Sequence, residues 1–402
     1  MLMRLRASFY LIISYYLLAI HLAGISVIYI SANEVYLIEQ QVYSFYHNGH
    51  VFLSVMIFVS SLGVLCSEKI DVSRYVAPNV GFNTCQVNKL ALFFCFSFVV
   101  LLYVNIFISD TPPLLSSGYV DRFGYMENTK IWFFLKIFGV VSIHIPIVLG
   151  YLLAHLNRKY LVVIVFLFYE LYLVLIGQKF GGPLLGIIFF ALPTLSLRYS
   201  SYSLGHFLKS YFLKVMLAFI FLMSVVYYHY SNYSLAEDFG GPFGLILYRV
   251  FGMQGHMFWG VLSEISWIHS DLLNFPQFVN AMQNLMLKVS PVLAPEMIER
   301  GVNFTFGFYA AIAYYFSILA FFIAFFSFMV FGLISKLWFF SLKQKRLVGY
   351  FFVSNVLVMF ASFISMGSLA SILNPKFFVL IVFLGMWPVL AVAFRKIFKT
   401  IH

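Results

Sequence analysis

The sequence predicts an all-α fold: a polytopic bundle of about ten membrane-spanning helices, with both termini in the cytoplasm. Three observations predict it. The 402 residues are 62% hydrophobic and 10% charged, whereas soluble domains carry roughly a quarter charged residues. Apolar runs of about 20 residues recur from end to end, leaving no room for a soluble domain, so residues 1–402 read as one integral membrane domain. Lysine and arginine also fall unevenly between alternate loops, as they do in membrane proteins.

The candidate spans are residues 8–30, 46–66, 90–109, 131–153, 160–176, 183–197, 211–228, 306–334, 347–373 and 377–394. The first follows Arg4 and Arg6 but is too long for a signal core and lacks a convincing cleavage site, so it reads as a span. The sixth is short, and the eighth is long enough to tilt. With the N-terminus inside, 17 of the 25 Lys and Arg residues lie in inner segments, among them Lys336, Lys343, Lys345 and Arg346. Outer segments hold 7, and Lys136 lies within a span. The net charge of +11 is therefore mostly a topology signal, and no nucleic acid partner is implied. Residues 244–263 are apolar enough to span. Promoting them would turn the later basic clusters outward, and Arg249 and His256 would be costly at the bilayer centre, so they are placed on the outer side. Cys66 and Cys95 sit in or beside apolar runs and Cys85 in a basic loop, which implies no disulfide framework.

The outer loops are unequal. Residues 229–304 form one long outer segment between the seventh and eighth spans, and short amphipathic helices are expected in it. Pure transporters usually keep loops short and bind at the midplane, so a large outer segment suggests a substrate handled at that face. In 278–289 the apolar positions Phe278, Val279, Met282, Leu285, Met286 and Val289 follow helical spacing after Pro276. Such a helix can lie flat in the interface or pack on the bundle.

The candidate chemistry is cationic. Arg249 and His256 are seven residues apart, two helical turns or about 10 Å, with Gln254 between them. Arginine offers a fixed fork for phosphate, and histidine exchanges a proton near neutral pH. Arg122 lies in the 110–130 loop beyond Pro112 and Pro113. Gln178 and Lys179 lie in the tight turn Gly177-Gln-Lys-Phe-Gly-Gly, and Arg300 precedes the eighth span. Together these cations could meet one anionic headgroup, for which a diphosphate is the natural candidate. Lys136 and Glu170 each lie about 8–9 Å below the outer end of neighbouring spans, and buried charge favours a partner. A Lys136–Glu170 pair lining an outward-open cavity is expected, with the deeper His144 a hydrogen-bonded helix contact. No nucleotide-binding loop or zinc motif occurs, and the outer carboxylates lack metal-like spacing.

The layout of spans, one dominant late outer loop and basic outer residues resembles the bacterial O-antigen polymerases, integral membrane glycosyltransferases of lipopolysaccharide and surface polysaccharide synthesis. Local resemblance lies in Gly177-Gln-Lys-Phe-Gly-Gly, in 248–259 with Arg249, Gln254, His256 and Trp259, and in Gly301-Val-Asn-Phe-Thr-Phe-Gly. The span count is at the low end, and no clean second arginine-rich loop is found.

The resemblance implies transfer of an undecaprenyl-diphosphate-linked glycan onto a second lipid-linked repeat, at the periplasmic face of the inner membrane, without cofactor, metal or nucleotide. Arg249 and His256 would then be catalytic, and Arg122, Lys179, Arg300, Gln254 and Gln178 would bind substrate. Partners would be the lipid-linked oligosaccharide, membrane lipid and a chain-length regulator protein. An O-antigen ligase or a polysaccharide flippase is the alternative.

Overall fold

The computed structural model describes residues 9–30, 34–37, 42–45, 49–72, 84–116, 122–131, 133–156, 159–178, 181–199, 241–248, 281–299 and 307–367, with isolated positions in 213–240, at 258 and 261, and in 375–382. The described chain is helical apart from one antiparallel hairpin, β1 (Glu34–Leu37) and β2 (Val42–Phe45), paired from Glu34 with Phe45 to Leu37 with Val42. The helices are α1 (Ile12–Ile30), α2 (Gly49–Lys69), α3 (Thr84–Ile108), α4 (Arg122–Glu127), α5 (Phe134–Val141), α6 (His144–His155), α7 (Lys159–Leu175) and α8 (Gly181–Tyr199). After them come α9 (Pro242–Leu247), α10 (Ala281–Val289), α11 (Ala294–Glu299), α12 (Phe308–Phe316), α13 (Ala320–Lys343) and α14 (Leu347–Met366).

Among the described residues, four helices are long and apolar enough to cross a membrane: Gly49–Lys69, Gln86–Ile108, Phe308–Lys343 and Leu347–Ser365. A fifth span results if α5 and α6, bent by 46°, act as one. α1 and α8 contribute shorter apolar stretches, Ile12–Gly24 and Gly182–Arg198. The expected spans at 211–228 and 377–394 fall largely outside the described residues.

Two close helix pairs organise the bundle. α2 crosses α13 with Gly63 directly against the backbone of Phe325 and Met329, and with Ser67 against Gly332. α6 crosses α8 with Gly150 against the backbone of Phe189 and Phe190. Small residues let helix backbones approach, and packing and hydrogen bonds then hold helices for which lipid is as good a solvent as protein. α7 lies beside α8, with Phe166 stacked on Phe190 at a centroid distance of 3.7 Å. Residues on α3 such as Leu90, Phe93, Phe94 and Phe107 stay exposed, as a lipid-facing helix requires.

The basic cluster after the eighth expected span is placed differently from the sequence reading. The helix runs on to Lys343, so Lys336 is a buried helix residue rather than a loop residue. Its ammonium donates to the carbonyls of Ser67 and Glu68, each at 2.9 Å, and to that of Ile70. These carbonyls lie at the end of α2, where a cation is favoured. The same run is interrupted near its start. Ser317 adopts φ 48°, and the 3-10 turn Ser317–Leu319 separates α12 from α13.

Candidate functional site

The turn between α7 and α8 is built by Gly177. Its φ of 73° is the left-handed conformation that glycine adopts without steric cost. The Gln178 N–H donates to Leu173 O at 2.9 Å and the Gly177 N–H to Val174 O at 3.0 Å, which closes the end of α7. The chain then reverses into α8, and the two helices run antiparallel with a regular ladder between them. Gln178 lies over Gly182, the Glu170 carboxylate lies against Gly186, and Phe166 stacks on Phe190 below. A side chain at 186 would occupy the space of that carboxylate.

Glu170 does not pair with Lys136. Both carboxylate oxygens are buried and have no hydrogen-bond partner among the described residues, while Lys136 is exposed. The expectation assumed a straight fourth span. The chain instead bends by 46° between α5 and α6, so depth counted along one axis does not apply. His144, at the bend, packs its ring against Phe351 at 5.0 Å, but its Nδ1 has no hydrogen-bond partner among the described residues.

A second polar cluster lies on the other side of α7, where α3 and α7 end. Asn105 is fully buried and its Oδ1 accepts from the Ser109 hydroxyl at 3.3 Å. Its amide hydrogen-bonds the Tyr172 hydroxyl, while the Tyr125 hydroxyl has no hydrogen-bond partner among the described residues. Asn105 lies beside the Tyr172 hydroxyl, and Tyr125 lies close enough to Tyr172 to interact electrostatically. Burial, and then the Asp110 carboxylate, hold the Tyr125 hydroxyl above the ordinary tyrosine range, so it remains a neutral donor. Tyr103 and Phe138 flank Tyr172, with ring centroids at 6.3 and 5.9 Å. Tyr169 donates to Ser142 O at 2.8 Å, which ties α7 to the bend.

The long 229–304 segment is docked on the bundle where it is described. Phe258, Val261, Leu285, Met286 and Ala294 are buried in the main core. Phe258 stacks on Phe52 of α2 at 5.8 Å, and the Lys288 ammonium lies 4.9 Å over the Tyr314 ring of α12. α10 covers part of the expected amphipathic helix, and its Leu285 and Met286 turn into the protein, so it packs on the bundle.

Of the expected site residues, Arg249, Gln254, His256, Lys179 and Arg300 lie outside the described residues, and Arg122 is placed by its backbone, as the first residue of α4. Gln178 and Glu170 fall on one helix seam. Sequence reasoning missed Asn105, Tyr125 and Tyr172. The chain has 27 tyrosines, so a tyrosine in an apolar run carries no mark of its own. Among the described residues, no three His, Cys, Asp or Glu side chains come together as a metal site.

Residues 276–381, which run from α10 through α14, match a family of unknown function, DUF6418. Neither the curated proteins nor the solved structures give a match to this chain.

Proposed function

We propose that this chain is a multi-pass protein of the bacterial inner membrane that polymerises undecaprenyl-diphosphate-linked glycan repeats at the periplasmic face. The observation that carries the reading is the docking of the long segment. Ile246 of α9 and Phe258 are both buried, so the stretch between them is held at each end. That stretch contains Arg249, Gln254 and His256. Electrostatic stabilisation of a leaving group requires charged groups at a fixed place, and burial on both sides of this stretch supports the reading.

In the proposed step, the bond between the glycan's anomeric carbon and the diphosphate oxygen breaks. A bond from that carbon to an acceptor hydroxyl oxygen forms. The hydroxyl proton passes to His256, and undecaprenyl diphosphate leaves with its charge met by Arg249, Arg300, Arg122 and Lys179. A chain-length regulator is a further proposed partner.

The test is complementation of a strain lacking its native polymerase with Arg249→Ala and His256→Ala. Loss of long-chain polysaccharide in both, with normal membrane levels of the protein, is the expected result. Normal chains from both variants reject the assignment.

Flippase is the second reading, favoured by the discontinuous helices α5–α6 and α12–α13, since transporters bind at such breaks. Deletion separates the cases. A single repeat on the lipid core marks a polymerase. Repeats stranded on carrier outside mark a ligase, and repeats stranded inside mark a flippase.

A further inference from the structure

We propose that Glu170 is a proton-binding site in the seam between α7 and α8, and that opening of this seam releases the proton. The inference is independent of the polymerase reading. Glu170 is the one charged residue between Tyr160 and Leu175 of α7, and α8 carries none from Gly181 to Leu197. Both carboxyl oxygens are sealed from the surface and have no hydrogen-bond partner among the described residues. The space they fill is left by Gly186, since a Cβ there would fall on the carboxyl. Glycine at this position of α8 thus makes a place of carboxyl size against helix backbone.

That backbone supplies no donor. N–H groups in a helix interior bond within the helix, so Gly186 offers the carboxyl only its Cα–H. A sealed carboxylate without a donor is far costlier than the neutral acid. A metal ion would need several oxygen ligands, and no three His, Cys, Asp or Glu side chains gather among the described residues. A proton needs only the carboxyl oxygen, and it fits because the carboxyl itself fills the space that Gly186 leaves.

The titratable groups of the surrounding elements are engaged elsewhere or lie far along the helices. Tyr169 interacts electrostatically with the carboxyl, but its hydroxyl donates to Ser142 O at 2.8 Å. Tyr172 is engaged with Asn105 of α3. Tyr103 of α3 donates to Phe168 O at 2.9 Å. On α6, His144 packs on Phe351, Tyr151 on Tyr350, and His155 lies 3.0 Å from Leu342 O. Lys136 of α5 is exposed. Arg198 of α8 is twelve residues beyond Gly186, about 18 Å along the axis.

Opening and proton release follow from the same contact. In the closed seam the carboxyl O–H bond is intact and the group is neutral. When the helices part and water enters, that bond breaks, the proton passes to water and the carboxylate is solvated. Closure reverses the step, and no electron moves. Phe166 stacked on Phe190 fills the seam on the side away from the turn. Gly177 at the turn lies two helical turns from Glu170, so exchange runs towards the turn.

The experiment is infrared spectroscopy of the full chain in nanodiscs, read for the C=O stretch of protonated carboxyl groups. At neutral pH a solvated glutamate is ionised and gives no such band. Glu170→Gln keeps the shape and cannot take the proton. The expected result is the loss of one protonated-carboxyl band in this variant. Identical spectra overturn the site, because the carboxyl is then ionised and paired with a cation. If Glu170→Gln does not fold, wild type is treated with dicyclohexylcarbodiimide, an apolar reagent for protonated carboxyls, and mapped by mass spectrometry. Label on Glu170 upholds the site, and its absence there overturns it. Seam opening is read by amide hydrogen exchange of α7 and α8, corrected for the intrinsic effect of pH. Exchange in wild type is expected to rise severalfold from neutral to alkaline pH, and to stay flat in Glu170→Gln. The same profile in both proteins overturns the coupling of proton and seam.

Discussion

The Lys336 ammonium donates to the Ser67 carbonyl at 2.9 Å and reaches two further carbonyls at the end of α2. One side chain thus ties the body of α13 to the end of α2. Gly332 lies one turn before Lys336 and leaves room for Ser67. Its position on α13 brings the two helices close enough for the lysine to reach. Tyr15 of α1 donates to Glu68 at 3.3 Å, so a third helix meets the same end.

Removing this cap takes the lysine donor from three carbonyls, of which Ser67 O keeps the Ile70 N–H at 3.3 Å. Lys336→Met keeps most of the stem and discards the donors. We expect about 1–3 kcal/mol of destabilisation, read as a lower melting temperature in detergent. Ser67→Ala retains the carbonyl and is expected to have a smaller effect. Equal melting of wild type and Lys336→Met refutes the cap.

Gly186→Ala places a methyl group where the Glu170 carboxylate sits. The single variant is expected to lose about 1–3 kcal/mol from overpacking. Glu170→Ala in the same background empties that space, so the double variant should recover much of the loss. Additive losses in the cycle would show that the two residues are not in contact.

Gly150→Ala should be worse. Its new Cβ meets the backbone of Phe189 and Phe190, which cannot rotate away as a side chain can. No single second substitution should rescue it. Wild-type expression and melting of this variant would contradict the α6–α8 crossing.

Tyr309 donates to the Ser60 hydroxyl at 2.8 Å inside the bundle, where His21 also packs on the Tyr309 ring at 4.6 Å. Tyr309→Phe is expected to cost about 0.5–1.5 kcal/mol. With Ser60→Ala already present, the further cost should shrink towards zero. An undiminished cost in that background rules out the bond as the cause.

The orientation is testable by labelling. In a background with Cys66, Cys85 and Cys95 replaced by alanine, Ser231→Cys should react with an impermeant maleimide added outside the cell. Lys345→Cys should react only after the membrane is opened. The reverse pattern would leave the proposed enzyme with no outer face.

Hydropathy by itself marked the second, third, eighth and ninth expected spans, where the helices are long and apolar enough to cross a membrane, because a bilayer accepts only apolar stretches with internally paired backbone. Glycine in Gly177-Gln-Lys-Phe-Gly-Gly marked the turn between α7 and α8, because its left-handed conformation favours that residue. Apolar spacing marked α10. Tertiary structure alone decided how each helix is rotated and which helix it meets. Lys336 reads as a loop cation in one dimension and becomes a cap when α13 continues beside α2. Lys136 and Glu170 match in depth along straight spans and part because the chain bends between α5 and α6. Asn105, Tyr125 and Tyr172 are far apart in sequence and ordinary in type. They converge only when α3, α4 and α7 pack, since a contact between helices depends on azimuth and neighbour, neither of which a hydropathy pattern encodes.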